Sequence, residues 1–190
     1  MTIRTKRFLL GAATALAALI AVGAAFASVD PQTQPGDVLD PRTYAPESRP
    51  FLVVHATGVQ KYACQGNGTW LFTDPVATLA KDAASQQAIG SHYLNVATGR
   101  PVWQFQDGSL VEAARKASAP GGAGNIAALL LETASTAAGG DGDRLAKSTW
   151  VQRLNTAGGV APGGACSPGD RIAVPYETDY VFWTATAGSG

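Results

Sequence analysis

Three residues near the middle of the chain have the side-chain types of a hydrolytic triad. His92, Asp107 and Ser109 all lie within one short stretch, 91–109, and His92 is one of only two histidines in the sequence. A serine hydrolase needs a histidine general base that contacts the serine and is itself oriented by a carboxylate. No G-x-S-x-G turn surrounds Ser91 or Ser109, so the residue types permit this chemistry but their spacing does not indicate it.

The same stretch is typical of a β-hairpin. Asp107-Gly108 separates two apolar runs, and this pair favours a tight turn because glycine accepts positive φ. A two-residue loop would pair Trp103 with Glu112, whereas a three-residue loop would put Trp103 on one face with Val111. Turn chemistry favours the first register and the apolar pattern favours the second. In both registers the Asp107 side chain has a structural role in the turn.

Aromatic residues supply the candidate binding contacts, which are Trp70, Tyr93 and Trp103. Exposed aromatic rings stack on sugars and apolar molecules, and packing in the core is the alternative. His55 lies in an apolar run and is expected to be a hydrogen-bonded core residue. Two histidines without H-x-H or H-x-x-x-H spacing do not indicate a metal site, and no glycine motif for phosphate opens a helix. The sequence therefore predicts no metal and no cofactor.

The elements that would position these residues are short strands. The runs 51–56, 69–73, 101–106 and 179–186 are rich in aromatic and β-branched residues, and turn-forming residues separate them. This pattern predicts a mainly β, single-domain fold, either an antiparallel β-sandwich or a barrel.

The alanine-rich middle of the chain leaves room for one or two short helices. Asp74-Pro75 resembles a helix N-cap followed by proline at the first helical position. The segments 110–119 and 126–137 also have helical propensity, although alanine discriminates poorly in a chain this rich in it.

Residues 1–27 are predicted to be a secretory signal peptide. Arg4, Lys6 and Arg7 precede an uncharged run, and Ala25-Phe26-Ala27 forms a cleavage site before Ser28. An uncleaved membrane anchor is the alternative. Cleavage would leave 11 basic and 14 acidic residues, a net charge of −3 without a basic cluster. We therefore expect an exported protein, periplasmic or extracellular, that binds neither nucleic acid nor a membrane surface after cleavage.

The rest of the chain divides into a lead-in, a domain and a tail. Residues 28–50 hold five prolines and predict a loosely packed lead-in, 51–186 form the β domain, and 187–190 form a flexible tail. An even cysteine count in an oxidising compartment predicts a Cys64–Cys166 disulfide. Redox chemistry is the alternative, but it normally uses a C-x-x-C pair. Because Cys166 lies in a Gly/Pro-rich loop, the bridge would fasten that loop to the early strand that carries Cys64.

Several segments carry a family resemblance: Gly58-Val59-Gln60-x-Tyr62-x-Cys64, Gly90-x-His92-Tyr93, Pro101-x-Trp103, Asp107-Gly108-Ser109, Gln152-Arg153-x-Asn155-Thr156-x-Gly158-Gly159, Val174-Pro175-Tyr176 and Asp179-Tyr180. In this order they resemble a family of exported bacterial and fungal proteins catalogued as domain of unknown function 3455. The resemblance covers roughly residues 50–185. It implies a secreted, strand-rich domain with the two cysteines in matching places. It implies no established activity, so no catalytic residue is carried over.

Two functions remain in competition on the sequence alone. The favoured one is a non-catalytic module that binds a small apolar ligand or a glycan, because aromatic residues are plentiful and catalytic side chains are scarce. The alternative is a secreted hydrolase that uses His92 as the base, Asp107 to orient it and a nearby serine. The position of His92 discriminates between them, because the hydrolase requires both partners within about 3 Å in an open pocket.

Overall fold

The structure, a computed structural model, describes residues 37–185, and eight antiparallel strands form a closed barrel within them. The strands are β1 (Ser48–Cys64), β2 (Trp70–Ala80), β3 (Ala88–Asn95), β4 (Arg100–Phe105), β5 (Leu110–Ala119), β6 (Ala128–Ala137), β7 (Trp150–Gly158) and β8 (Arg171–Ala185). Each strand pairs with the next along the chain, and β8 closes the barrel against β1. The prediction of a mainly β fold is confirmed, in its barrel form.

Strand β8 shows how the alternation of side chains builds two apolar layers. Tyr180 and Phe182 point into the barrel and belong to the main core. Val181 and Trp183 point outward and belong to a second cluster on the outside of the barrel. Both faces of β8 are therefore buried over residues 180–183, which explains why this part of the strand is continuously apolar rather than alternating.

The outer cluster is covered by the segment that precedes β1. Leu39 is 6% exposed and packs in the outer cluster with Trp150 and Trp183. Asp40 caps a single 3₁₀ turn, Pro41–Thr43, and pairs with Arg42 at 2.7 Å. Within the described residues the lead-in is thus packed against the barrel rather than loose, because the outer faces of β7 and β8 are apolar. The predicted signal peptide, residues 28–36 and the tail lie outside the described residues.

The expected helices in the middle of the chain were wrong. Asp74-Pro75 lies within β2, the segment 110–119 forms β5, and the segment 126–137 contains all of β6. Pairing with neighbouring strands overrides the helical propensity of alanine. The Asp74 side chain also serves the sheet, because its Oδ1 accepts a hydrogen bond from the Leu94 backbone N–H at 3.1 Å.

A disulfide joins the end of β1 to the β7–β8 loop. Cys64 and Cys166 are bonded, with their Cα atoms 5.8 Å apart and a separation of 102 positions in sequence. Backbone hydrogen bonds flank the bridge, from Cys64 N to Asp170 O and from Cys166 N to Gly68 O. The bridge is typical of a protein in an oxidising environment. No helix between residues 37 and 185 is long and apolar enough to span a membrane.

Replacing both cysteines with alanine should lower the free energy of unfolding by about 3 kcal/mol, because the bridge closes a long loop in the unfolded chain. Urea denaturation followed by tryptophan fluorescence measures the effect. Reduction of the wild-type protein should give the same shift, and the double variant should not respond to reductant. An unchanged midpoint in both experiments would contradict the stabilising role of the bridge.

Candidate functional site

The candidate site is a cavity of about 710 Å³ inside one end of the barrel. It lies at the end where β1, β3, β5 and β7 finish, so that the intervening loops surround its mouth. Its wall is mostly aliphatic and includes Leu94, Ile126, Leu129, Leu131 and Val160. A barrel of eight strands has an interior wide enough to hold one small ligand.

The opposite end of the barrel is closed by apolar packing. Leu145, from the β6–β7 loop, is fully buried in the same core cluster as Phe105 and Phe182. The rings of Phe105 and Phe182 meet edge to face, with centroids 6.1 Å apart. Among the described residues, the cavity is therefore closed at its floor. Its lining residues reach the surface loops at the other end of the barrel, which forms the mouth.

The floor of the cavity is an aromatic cluster around His92. The His92 ring is 3% exposed and stacks on Trp103 with centroids 4.6 Å apart and planes 15° apart. Tyr180 packs against both rings, at 5.0 Å from His92 and 5.1 Å from Trp103. Both His92 and Trp103 line the cavity.

His92 is held as a neutral imidazole. Its Nδ1 lies 2.8 Å from the Val102 carbonyl oxygen, and since a carbonyl only accepts, Nδ1 carries the proton. Burial lowers the pKa of His92 to about 3, and the hydrogen bond to Val102 opposes that shift only in part. The ring therefore presents an unprotonated Nε2 at neutral pH.

Buried polar atoms without a hydrogen-bond partner cluster beside this floor. Within residues 37–185 they include Gln60 Nε2, Trp103 Nε1, Tyr176 Oη and Tyr180 Oη. Burial raises the pKa of both tyrosines, so both hydroxyls stay protonated. The two hydroxyls lie close enough to influence each other's pKa, but their geometry falls short of a directed hydrogen bond. Native proteins leave few such groups, so a cluster of them calls for a physical explanation.

Arg153 adds a cation to the same wall. Its Nε donates to the Ala127 carbonyl at 3.0 Å, and its charge affects the pKa of His92, Tyr176 and Tyr180. Among the ion pairs between described residues, none includes Arg153. A half-buried guanidinium that lacks a carboxylate is uncommon in an apolar barrel interior.

The structure does not bring the three residues of the proposed triad together. Asp107 Oδ1 accepts hydrogen bonds from the Ser109 backbone N–H at 2.9 Å and from Ser109 Oγ at 2.6 Å. Ser109 Oγ also accepts from the Leu145 N–H at 3.2 Å, which fastens the loop that closes the floor. Burial alone would raise the pKa of Asp107, but the hydrogen bonds from Ser109 and Arg144 hold it below its ordinary value. Neither residue is hydrogen-bonded to His92.

The hairpin takes the register that the apolar pattern favours. Trp103 pairs with Val111, which leaves a three-residue loop in which Gly108 has φ of 83°. A type I turn followed by a glycine in the left-handed region is a common connection of this length. The register matters for the site, because it places Trp103 inside the barrel rather than on its surface.

The three aromatic candidates occupy three different environments. Trp103 lines the cavity, whereas Trp70 begins β2 opposite Cys64 and does not line it. Tyr93 follows the inward-facing His92 and does not line the cavity. Its hydroxyl donates a hydrogen bond to Gln104 Oε1, with 3.0 Å between the two oxygens. Only Trp103 of these three is therefore placed to contact a ligand in the barrel.

His55 forms a histidine–carboxylate pair on the outside of the barrel. Its Nδ1 lies 2.9 Å from Asp179 Oδ1, and Asn155 Nδ2 donates to the other oxygen of Asp179 at 2.9 Å. His55 is hydrogen-bonded as expected, but it is not a core residue, because it is only partly buried and lies on the outer face of β1. Ser85 lines a smaller cavity beside His55 but is not hydrogen-bonded to it. Residues 37–185 contain no cluster of three metal-ligating side chains.

Sequence reasoning missed most of the polar residues at the cavity. Gln60, Tyr176 and Arg153 stand within the segments that carried the resemblance, yet no local pattern indicates that they face one another. Their proximity follows from the closure of β8 against both β1 and β7. The alternation of β8 was the one available signal, because it places Tyr176 and Tyr180 on a common face.

Comparison with known protein families finds a match over most of the barrel. A family model described as a protein of unknown function (DUF3455) covers residues 45–184, nearly all of the barrel. Comparisons with curated proteins and with solved structures find no significant match. Because the family model spans well over half of the sequence, the chain belongs to the DUF3455 family.

Proposed function

We propose that this protein is a non-catalytic, exported binding module that holds a small, largely apolar molecule inside the barrel. The observation that carries the proposal is the cavity of about 710 Å³, which has aliphatic walls above an aromatic floor. Small-molecule sites are concave and mostly apolar with a few polar groups, and their volumes fall in this range. The aliphatic wall favours an apolar ligand over a glycan, which needs polar groups along its whole length. The disulfide supports action in the periplasm or outside the cell.

The hydrolase alternative has less support. His92 is stacked on Trp103, and its only hydrogen bond to a described residue goes to a backbone carbonyl. A histidine with a pKa of about 3 is also a poor general base near neutral pH. Asp107 and Ser109 are engaged with each other and with the loop that carries Leu145.

The substitution Leu129→Trp tests the location of the binding site. Leu129 is partly buried and lines the cavity, so an indole at this position should fill the space that a ligand would occupy. We expect the variant to lose at least about tenfold in affinity, which corresponds to 1.4 kcal/mol. Native mass spectrometry and calorimetry with a panel of aliphatic, aromatic and oligosaccharide compounds measure the binding.

Leu71→Trp is the matched control, because Leu71 is 50% exposed and lies outside the cavity lining. It should retain wild-type affinity. The proposal fails if no apolar compound binds the wild-type protein, or if both variants bind equally well. Substrate turnover that His92→Ala abolishes without unfolding would replace the proposal with the hydrolase.

A further inference from the structure

The charged groups at the cavity are all hydrogen-bond donors, whereas His92 Nε2 and the amide oxygens of Gln60 and Asn125 are neutral acceptors. Trp103 Nε1 is only a donor, and the Arg153 guanidinium has five N–H groups, of which Nε–H reaches Ala127 O. Burial keeps the hydroxyls of Tyr176 and Tyr180 protonated, and neither makes a well-directed hydrogen bond to a described residue, although Gln60, Trp103 and Arg153 lie close enough to affect their pKa. Trp103 and Tyr180 are each 1% exposed, so their unpartnered atoms lie in a desolvated environment. Such donors are costly unless an acceptor meets them.

The charges that line the cavity have one sign. The lining residues include Arg100, Arg115 and Arg153, and no aspartate or glutamate. Arg100 pairs with Glu112 at 3.5 Å, which lies outside the lining, whereas Arg115 and Arg153 have no ion pair with a described residue. Like-signed charges on a low-dielectric wall raise the local concentration of oppositely charged molecules. The cavity is thus positive although the protein as a whole has no excess of basic residues.

The two ends of the cavity differ in chemistry. The donors lie at the floor, where Trp103 and Tyr180 pack against His92. The aliphatic residues Leu94, Leu129 and Val160 line the wall that leads to the mouth. A molecule that satisfies both parts needs an acceptor-rich head and an apolar body. The Arg153 guanidinium on the wall beside the floor balances one negative charge, and its planar fork matches a carboxylate.

We infer that the ligand is a small apolar carboxylic acid, whose carboxylate binds the Arg153 guanidinium beside the cavity floor. Its apolar body extends along the aliphatic wall toward the mouth. This inference rests on the proposed function, because it assigns the head group of the molecule that the same cavity holds. It assigns Arg153 as the residue that determines specificity for the head group.

The test compares ligands that share one apolar body and differ only in the head group. Calorimetry at neutral pH with decanoic acid, 1-decanol and decylamine supplies an anionic, a neutral and a cationic head. The wild-type protein should bind decanoate about tenfold to a hundredfold more tightly than 1-decanol, since a charge-assisted hydrogen bond is stronger than a neutral one. Decylamine should bind most weakly, because it brings a second positive charge to Arg153.

Arg153→Met should abolish the preference for decanoate and leave the affinity for 1-decanol nearly unchanged. Arg153→Lys should restore part of the preference, because it restores the charge without the fork. Arg171→Met is the matched control, because Arg171 is exposed at the start of β8 and does not line the cavity. Thermal denaturation of each variant checks that the barrel is folded.

Each result bears on one of the two proposals. Equal wild-type affinities for decanoate and 1-decanol would overturn the carboxylate assignment and leave the apolar binding function standing. A preference that survives Arg153→Met but disappears in Arg115→Met would place the head at the mouth and overturn the assignment to the floor. If the protein binds none of the three compounds, both the inference and the proposed function fail. The wild-type comparison alone tests the head group if Arg153→Met does not fold.

Discussion

Replacing Gln152 with alanine is expected to lower the free energy of unfolding by about 4 kcal/mol, the combined cost of two broken buried hydrogen bonds and a cavity. Gln152 is fully buried on β7. Its Nε2 donates to the Leu39 carbonyl at 2.6 Å, and its Oε1 accepts from Trp183 Nε1 at 2.7 Å. One amide thus joins the segment before β1 to the outer face of the barrel. Alanine would leave both partner groups buried and unsatisfied.

Urea denaturation at neutral pH, followed by tryptophan fluorescence, measures this loss. Gln104→Ala is the matched control, because Gln104 is half-buried and accepts only the Tyr93 hydroxyl among the described hydrogen bonds. It should cost less than about 1 kcal/mol. Residues 37–47 should also become more accessible to protease in Gln152→Ala, since their main polar attachment is lost. Equal losses in the two variants would contradict the assigned role of Gln152.

His92 should make the stability of the protein depend on pH. Its pKa is about 3 in the folded barrel and close to the ordinary 6.5 in the unfolded chain. As the pH falls below about 6.5, His92 binds a proton in the unfolded state but stays neutral in the folded state. The free energy of unfolding therefore decreases progressively until about pH 3. The expected loss is about 2 kcal/mol between pH 7 and pH 5, and on the order of 4 kcal/mol by pH 3.

His92→Phe isolates this contribution, because phenylalanine keeps an aromatic ring against Trp103 but does not titrate. The variant should be less stable at pH 7, having lost the hydrogen bond to Val102. Its stability should change much less than that of wild type between pH 7 and pH 5. This window lies above the range in which Asp107 and Glu112, whose pKa values are lowered, begin to take up protons.

Val111→Ala serves as the control for general destabilisation, because Val111 is a fully buried, non-titrating residue of the same core. It should lower stability by a similar amount at every pH and keep the wild-type slope. Denaturant titrations at pH 5, 6 and 7 measure all three proteins. Parallel losses of stability in wild type and His92→Phe would show that His92 does not titrate as its burial implies.

The sequence determined the features that depend on neighbouring residues or on composition. Asp107-Gly108 predicted the hairpin, and the alternation of Trp103 and Phe105 favoured the register that the structure has. The mainly β fold followed from short aromatic and β-branched runs, because such runs fit a pleated, half-buried surface. The cysteine count predicted the bridge, since two cysteines in an oxidising compartment allow one intramolecular pairing.

The tertiary structure decided the conformation of segments whose local propensity disagrees with their pairing in the sheet. Asp74-Pro75 has the local signature of a helix start, but it lies in β2 because pairing with β1 and burial of alternate side chains outweigh the local preference. The lead-in packs on the barrel because Leu39 contacts the apolar outer face of β7 and β8, whose residues are more than 100 positions away from it in sequence. The local sequence of β7 and β8 does not show whether their outer face is exposed to solvent or covered by another segment.

Most of the candidate site belongs to this second class, and Trp103 is the one sequence candidate that lines the cavity. His92, Asp107 and Ser109 are close in sequence but have separate roles in the barrel. His92 lies at the cavity floor, whereas Asp107 and Ser109 are hydrogen-bonded to each other, and Ser109 holds the β6–β7 loop through Leu145. Gln60, Arg153 and Tyr180 are far apart in sequence and become neighbours because β8 pairs with both β1 and β7. A cavity exists only once the last strand closes the sheet, so its lining depends on contacts between all eight strands rather than on any local pattern.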